Sequence, residues 1–246
     1  MNSSIVYDVL SDFYDKYWED TTLAHIPLLE KLVLSKIPNH GSILDVCCGT
    51  GTIAAQLCEM GYSVDGIDIS EGMIEHAKVN APNAIFTVGD ARTFQYEKNF
   101  DAVISTHDGF NHITDIRDLK MIFENVMRNL KPGGTFYFDI RNEDGYKNFW
   151  HMHQIAAIEN ETVGAFFSIY EPKDRVALMK VAYFTKSENN LYERHDVYLP
   201  QKCYLEDEII TLLTEVGFEN VQVSKRIEGI YSDVQGRSHY TCTKVL

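Results

Sequence analysis

Basic residues are scarce in this chain: 22 lysines and arginines stand against 36 aspartates and glutamates, a formal charge of −14. Affinity for nucleic acid rests on cations meeting phosphates, so nonspecific binding to it is not expected. Long apolar runs are missing too. No segment approaches the roughly 18–20 residues that cross a bilayer, and no membrane role is expected. Met1-Asn2-Ser3-Ser4 has no basic region leading into an apolar one, so a secretory signal is not expected either. Cysteine is sparse. Five residues (Cys47, Cys48, Cys58, Cys203, Cys242) form an odd, scattered set without a CxxC pair. They read as reduced thiols of a cytoplasmic protein with no zinc site. His151 and His153 can share a strand face, but no carboxylate partner is evident and no metal is expected. Internal repeats and low-complexity linkers are absent as well. What is present is 246 residues, 45% hydrophobic. That suffices for one large α/β domain, or a core with a small lobe.

Helical spacing opens the chain. Val6, Leu10, Phe13 and Tyr17 recur through an aromatic-rich segment, and Leu23–Ile37 repeats the pattern up to Pro38. From Gly41 strands and helices alternate. Ile43–Cys47, Ser63–Ile67, Ala84–Val88, Ala102–Thr106 and Thr135–Ile140 read as strands. Thr52–Met60, Ser70–Asn80 and Asp115–Leu130 read as helices, with Ser70 as N-cap. This alternation predicts a parallel sheet covered on both faces, with right-handed crossovers. The rhythm then changes. Ile155–Glu161, Gly164–Tyr170, Arg175–Lys186 and Leu191–Leu199 are strand-like with no helix between them, which predicts an antiparallel insert. Leu205–Val216 restores a helix. Phe218–Arg226 and Ser238–Val245 close the pattern.

The chemistry concentrates at Ser42–Ala54, SILDVCCGTGTIA. Ile43-Leu44 leads into Asp45, Cys48-Gly49-Thr50-Gly51 turns the chain, and a helix opens near Thr52. Such a strand–loop–helix unit holds a nucleotide-like ligand on backbone atoms. Glycine permits positive φ and close approach, and the helix start offers unpaired N–H groups. Asp45 would repel a pyrophosphate but suits a cationic amino group such as that of a methionine moiety. The third glycine of a dinucleotide fingerprint is missing, since Thr52-Ile53-Ala54 follows the GTG; that argues against a dehydrogenase. Asp68 ends the second strand, where a carboxylate can accept from both ribose hydroxyls. Asp90 follows the third strand and can receive an adenine amino hydrogen. Asp101 precedes the fourth strand and reads as structural.

With Lys131-Pro132-Gly133-Gly134 before the fifth strand, the chain resembles the class I S-adenosylmethionine-dependent methyltransferases over residues 41–140 and 205–246. Asp45, Gly49 and Gly51 match the family's loop, while Cys47 replaces its first glycine. The resemblance implies a Rossmann-like fold, a doubly wound and mostly parallel seven-stranded sheet with an inserted antiparallel β lobe. It divides the chain into an N-terminal helical lid (1–40), a cofactor core (41–141 and 205–246) and a substrate or dimer lobe (142–204). It implies S-adenosyl-L-methionine as cofactor and S-adenosyl-L-homocysteine as product. Asp45 and Gly49 would line the methionine part, and Asp68 would hold the ribose. Asp90 with Ala91 would face the adenine, with Cys47, Gly51, Ile69, Met73, Thr106 and Tyr14 completing the cofactor set.

The acceptor side is expected at the carboxyl edge of the sheet, from His107, Asp108, Asn111, His112, Asp139 and Arg141. His112 is the best base or orienting group, because histidine titrates near neutrality. Asp108 can orient an amine or hydroxyl. Tyr14, central in an aromatic helix that can close as a lid, is the third candidate. The Tyr-Asp start, the insert, His112 in GFNHI and the Gly236-Arg237 turn are similar to sugar N,N-dimethyltransferases. The expected reaction is N-methylation of a small polar amine, such as a nucleotide-linked aminosugar. An O-methyltransferase, a tRNA or protein methyltransferase and a noncatalytic binding module remain open, as does a homodimer through the lobe.

Overall fold

A computed structural model describes residues 3–150, 153–159, 161–187, 189–227 and 236–245. Three helices come first: α1 (Ser3–Tyr17), α2 (Glu19–Leu23) and α3 (Ile26–Leu32). The core follows as β1 (Ser42–Val46), α4 (Thr52–Glu59), β2 (Ser63–Asp68), α5 (Glu71–Asn80), β3 (Ile85–Val88), β4 (Phe100–Ser105), α6 (Ile116–Asn129) and β5 (Leu130–Arg141). Then come α7 (Glu143–Phe149), β6 (His153–Ile158), β7 (Thr162–Glu171), β8 (Val176–Lys186) and β9 (Tyr192–Lys202). The chain closes with α8 (Glu206–Val216), β10 (Phe218–Ser224) and β11 (Arg237–Lys244).

Seven strands form one sheet in the order β10-β11-β5-β4-β1-β2-β3. The pairs from β5 to β3 are parallel, and β11 runs antiparallel to both β5 and β10. The order reverses between β1 and β4. At such a switch point the helices leave to opposite faces, and a crevice opens beyond the carboxyl ends of the two strands. Strands β6–β9 form a separate antiparallel sheet. The doubly wound fold with a β insert is therefore present.

Helix α6 illustrates how sequence makes the layers. Asp115 caps it by accepting from the Arg117 N–H, and Leu119, Ile122, Phe123 and Val126 recur at helical spacing and are buried. They pack with Phe110, Phe136 and Phe138 on one face of the sheet. On the other face Leu29 and Val33 pack with Ile53, Leu57 and Ile43. Leu10 and Phe13 of α1 instead bury against Val181, Tyr183, Val197 and Leu199 of the lobe.

Two local expectations need correction, and one helix was not anticipated. Leu23–Ile37 is not one helix: α3 is short, has Pro27 in its first turn, and is followed by a 3-10 turn at Leu34–Lys36. Pro27 lacks the N–H that a continuous helix would need, whereas a first turn does not need it. The fifth strand begins at Leu130, not Thr135. Its register with β4 jumps from Phe100↔Leu130 to Ala102↔Thr135, and the intervening Gly133 has φ 74°, so the Lys-Pro-Gly-Gly segment is a bulge. Helix α7, capped by the Asn142 side chain on the Gly145 N–H, forms in a stretch to which the sequence pattern assigned no element. His151 lies outside the described residues, as does the side chain of His153.

Candidate active site

The loop after β1 turns through three left-handed residues: Cys47 (φ 62°), Gly49 (φ 53°) and Gly51 (φ 78°). Cys47 thus adopts the conformation that suits the glycine it replaces, at a cost of about 1–2 kcal/mol. Gly49 is open on one side; a Cβ there would meet only Tyr14, at 4.0 Å. Gly51 has a different task. Its Cβ would come within 2.9 Å of Ala77 Cα and 3.1 Å of the Phe86 ring, so glycine lets α4 start against α5 and β3.

Asp68 is pinned at the end of β2. The Gly49 N–H donates to its Oδ2 and the Ser70 N–H to its Oδ1, each at 3.0 Å. Burial raises its pKa and those backbone donors oppose the rise. A carboxylate has about four acceptor sites, so lone pairs remain for ligand hydroxyls. Asp45 lies beneath the loop, 1% exposed, and its Oδ1 has no hydrogen-bond partner among the described residues. Burial, then the charge of Asp68, pushes its pKa up to about 8. An orphaned buried carboxylate oxygen, an open glycine backbone and a pinned carboxylate with spare lone pairs fit an ammonium-bearing nucleoside.

Two of these features, the open Gly49 backbone and Asp68, border one cavity of about 1140 Å³. Cys47, Gly49, Asp68, Ile69 and Met73 line it, as do Asp90, Ala91, Thr106 and Tyr14. Asp45 and Gly51 do not. Asp90 is less free than its sequence position suggests: Arg92 grips both its oxygens, at 3.0 and 2.6 Å, and bridges to Asp118 at 2.9 Å.

The other half of the cavity is built by the turn after β4. His107 (φ 61°) and Asp108 (φ 52°) are both left-handed, a strained pair held by Asp139. The Asp139 carboxylate accepts from the His107 N–H at 2.7 Å and the Asp108 N–H at 3.1 Å. Arg237, from β11, pairs with Asp108 at 2.6 Å and also with Asp139. Burial alone would raise the Asp108 carboxyl, but Arg237 and then Arg141 hold it well below the usual carboxylate range. His107 donates or accepts at Thr22 Oγ1, 3.1 Å away, and burial followed by Arg237 lowers its pKa to about 3. It is a neutral ring.

His112 closes a 3-10 turn, Gly109–His112, with part of its ring open to the cavity. Burial lowers its pKa while the Asp108 charge opposes that. Tyr7 of α1 meets it edge-on at 5.6 Å between centroids. Tyr14 stands between the glycine loop and His107, whose ring centroid is 6.3 Å from its own. The cavity therefore brings together His112, Tyr14 and Asp108, along with His107 and Arg141. Asn111 is not in it: its amide is spent on the Arg141 and Lys202 carbonyls and the Arg141 N–H, tying β5 to β9. Asp101 instead accepts from the Ser42 N–H and Lys131.

Three contributors carried little signal. Arg237 was visible only as part of a Gly-Arg turn. Arg92 follows Asp90 in an ordinary loop. Gln201 sits in a strand of mixed polarity, with nothing to set it apart. Arg237 and Gln201 meet their partners far away in sequence, whereas Arg92 grips Asp90 two residues before it and reaches on to Asp118.

A glycine loop and a pinned carboxylate at the switch point of a doubly wound sheet, bordering one cavity that runs on to the turn after β4, fit the S-adenosylmethionine-dependent methyltransferases of class I. Comparison with known proteins agrees. Residues 43–134 match the family model described as "Methyltransferase domain". An uncharacterized methyltransferase of Synechocystis sp. is 31% identical over 167 residues, 67% of this chain and 74% of that protein. A dTDP-4-amino-2,3,4,6-tetradeoxy-D-glucose N,N-dimethyltransferase of Saccharopolyspora spinosa is 25% identical, over 85% of this chain and 79% of its own. The sugar N-methyltransferase KedS8 from Streptoalloteichus sp. has the same fold, with TM-score 0.80, 18% identity, and 96% and 92% of the two chains covered. The chain belongs to the methyltransferase family, and its cofactor is S-adenosylmethionine.

Proposed function

We propose that this methyltransferase acts on the nitrogen of a small polar amine, with a nucleotide-linked aminosugar as the best-fitting class. One observation carries the reading. A single cavity of about 1140 Å³ runs from the glycine loop to His112 and on to lobe residues Ser168, Met179 and Leu199. Sites for one ligand are commonly about 300–1000 Å³, so this volume supports a cofactor together with a second sizeable molecule. The N,N-dimethyltransferase relative named above supports nitrogen as the acceptor atom.

Bound S-adenosylmethionine supplies an electrophilic methyl group on a sulfonium. Asp68 would accept from the ribose hydroxyls and the Gly49 backbone would hold the methionine end, with the Asp45 carboxylate beneath that loop. Cys47 and Gly51 shape that loop. Ile69, Met73, Asp90 and Ala91 would enclose the adenine, and Thr106 lines the same cavity. Tyr14, next to the loop and His107, orients the acceptor toward the reacting centre. The amine must arrive neutral to attack. His112, itself neutral, directs or takes the amine proton, and Asp108 provides a fixed negative charge beside it. Positioning supplies most of the rate effect. In this reading residues 1–40 close over the cofactor, 41–141 with 205–246 hold it, and 142–204 wall the acceptor and pair two subunits.

The test is incubation with methyl-labelled S-adenosylmethionine and a panel of nucleotide aminosugars, free aminosugars, glycine and hydroxyl-only analogues. One or two labelled methyl groups on nitrogen of a nucleotide aminosugar are expected. Label on the hydroxyl-only analogue would point to oxygen instead. Cofactor binding without transfer to any small molecule would count against the small-molecule reading.

A further inference from the structure

Gln201 belongs to β9 in the lobe, yet its side chain is buried against the core, 2% exposed. Its neighbours dictate how the amide is turned. Asp108 is ionised, and a carboxylate only accepts, so the NH2 end must face Asp108 Oδ2, 3.0 Å away. The amide oxygen is left to accept from the Tyr146 hydroxyl at 2.7 Å. The second N–H of the same nitrogen is 2.7 Å from His112 Nε2. Two N–H groups cannot bond each other, so Nε2 presents its lone pair and the ring proton sits on Nδ1. The His112 ring also bonds the Pro200 backbone, which has no N–H and can only accept, in keeping with that tautomer.

We propose that Gln201 is a positioning residue for methyl transfer, fixing His112 as the neutral Nδ1–H tautomer with its Nε2 lone pair kept as an acceptor. The inference rests on the reading of His112 as an acceptor-side group. It gives the lobe a part in setting the chemistry of the core. The groups facing His112 are few. Tyr7 meets it from α1, Asp108 from the turn before it, Arg141 from the end of β5, and Gln201 with Pro200 from β9. Only Gln201 among them offers a hydrogen to Nε2. A donor on the acceptor molecule takes the place of that N–H, while the other Gln201 N–H stays on Asp108. The neutral amine spends its electron pair on the new carbon bond as the methyl's carbon–sulfur bond breaks, and the proton of the resulting ammonium then passes to Nε2, creating an imidazolium beside the Asp108 carboxylate.

The tautomer is read by nitrogen NMR on the full chain labelled at histidine, with S-adenosylhomocysteine bound and His112→Asn as the assignment control. The wild type is expected to give the Nδ1–H tautomer. Gln201→Leu is expected to mix the tautomers and raise the His112 midpoint by about one pH unit. Gln201→Glu puts an acceptor opposite Nε2 and is expected to move the proton there. The acid limb of kcat/KM should shift with the midpoint, with the KM for S-adenosylmethionine unchanged. A wild-type Nε2–H tautomer overturns the inference even if neither variant folds. So does an Nδ1–H tautomer that survives in both folded variants. A tautomer that moves while the rate profile does not would overturn both the part of Gln201 in transfer and the reading of His112.

Discussion

At the residue scale Asp45 sets ligand binding against stability. Its pKa of about 8 lies above the ordinary value of 3.8 that it regains on unfolding. Between those values the native state holds more proton than the unfolded chain. Stability therefore falls as pH rises through that window. Asp45→Asn removes the buried charge, so the cofactor-free variant should melt several degrees higher than wild type at pH 8 and close to it at pH 4. The same change should weaken S-adenosylmethionine binding at least about tenfold, a loss of about 1.4 kcal/mol, in calorimetry. A variant that melts lower at pH 8 would contradict the burial argument. Cys47 makes a milder case. Glycine there relieves left-handed strain of about 1 kcal/mol but gives up a packed side chain. Cys47→Gly should keep its affinity for the cofactor within about threefold.

Elements meet at Arg237 and along α1. Arg237 carries β11 into the turn after β4 by pairing with Asp108 and Asp139 together. Removing one partner of a buried ion pair costs about 3–5 kcal/mol, because the other charges stay buried. Arg237→Met should lose that much in urea unfolding, and adding Asp108→Asn should restore part of it. Helix α1 is fastened to α5 by a polar stripe. Asp8 accepts from the Ser70 hydroxyl at 2.6 Å and the Gly72 N–H at 3.1 Å, Asp12 contacts His76 at 2.8 Å, and Asp15 accepts from Asn80 at 2.7 Å. The opposite face of α1 is buried against the lobe. Asp8→Ala should leave the core intact and speed cofactor release, as followed by stopped-flow fluorescence. An unchanged release rate would mean that α1 does not gate the pocket.

On the scale of the whole molecule, buried titrating groups combine into a pH profile. His107 and His239 are held neutral by burial, with pKa values near 3 and 4 against an ordinary 6.5. Below 6.5 the unfolded chain takes up protons that these rings refuse, so stability falls on acidification. Asp45 acts in the opposite direction from 3.8 up to about 8. Two histidines outweigh one aspartate below 6.5, and Asp45 acts without them above it. The cofactor-free protein should be most stable near pH 6.5, a maximum that thermal melts across pH 4–9 would locate.

Local order along the chain determined a good deal without help. Alternating strands and helices, the Asp115 and Ser70 caps and the glycines of the loop are local facts, so the parallel core, the insert and the cofactor class were legible. Asp68 was legible because a strand end fixes where its side chain goes. Tertiary structure alone decided the half of the cavity around the turn after β4. Arg237 reaches Asp108 and Gln201 reaches His112 across about 130 and 90 positions of chain. Each is an ordinary polar residue until folding buries it beside a charge. Burial also decided which groups stay neutral, since that depends on the packing around a side chain and on no neighbour in sequence. The same holds for Asp45: its position in the loop was read from the chain, but its unpaired oxygen exists only because the sheet and helices close over it.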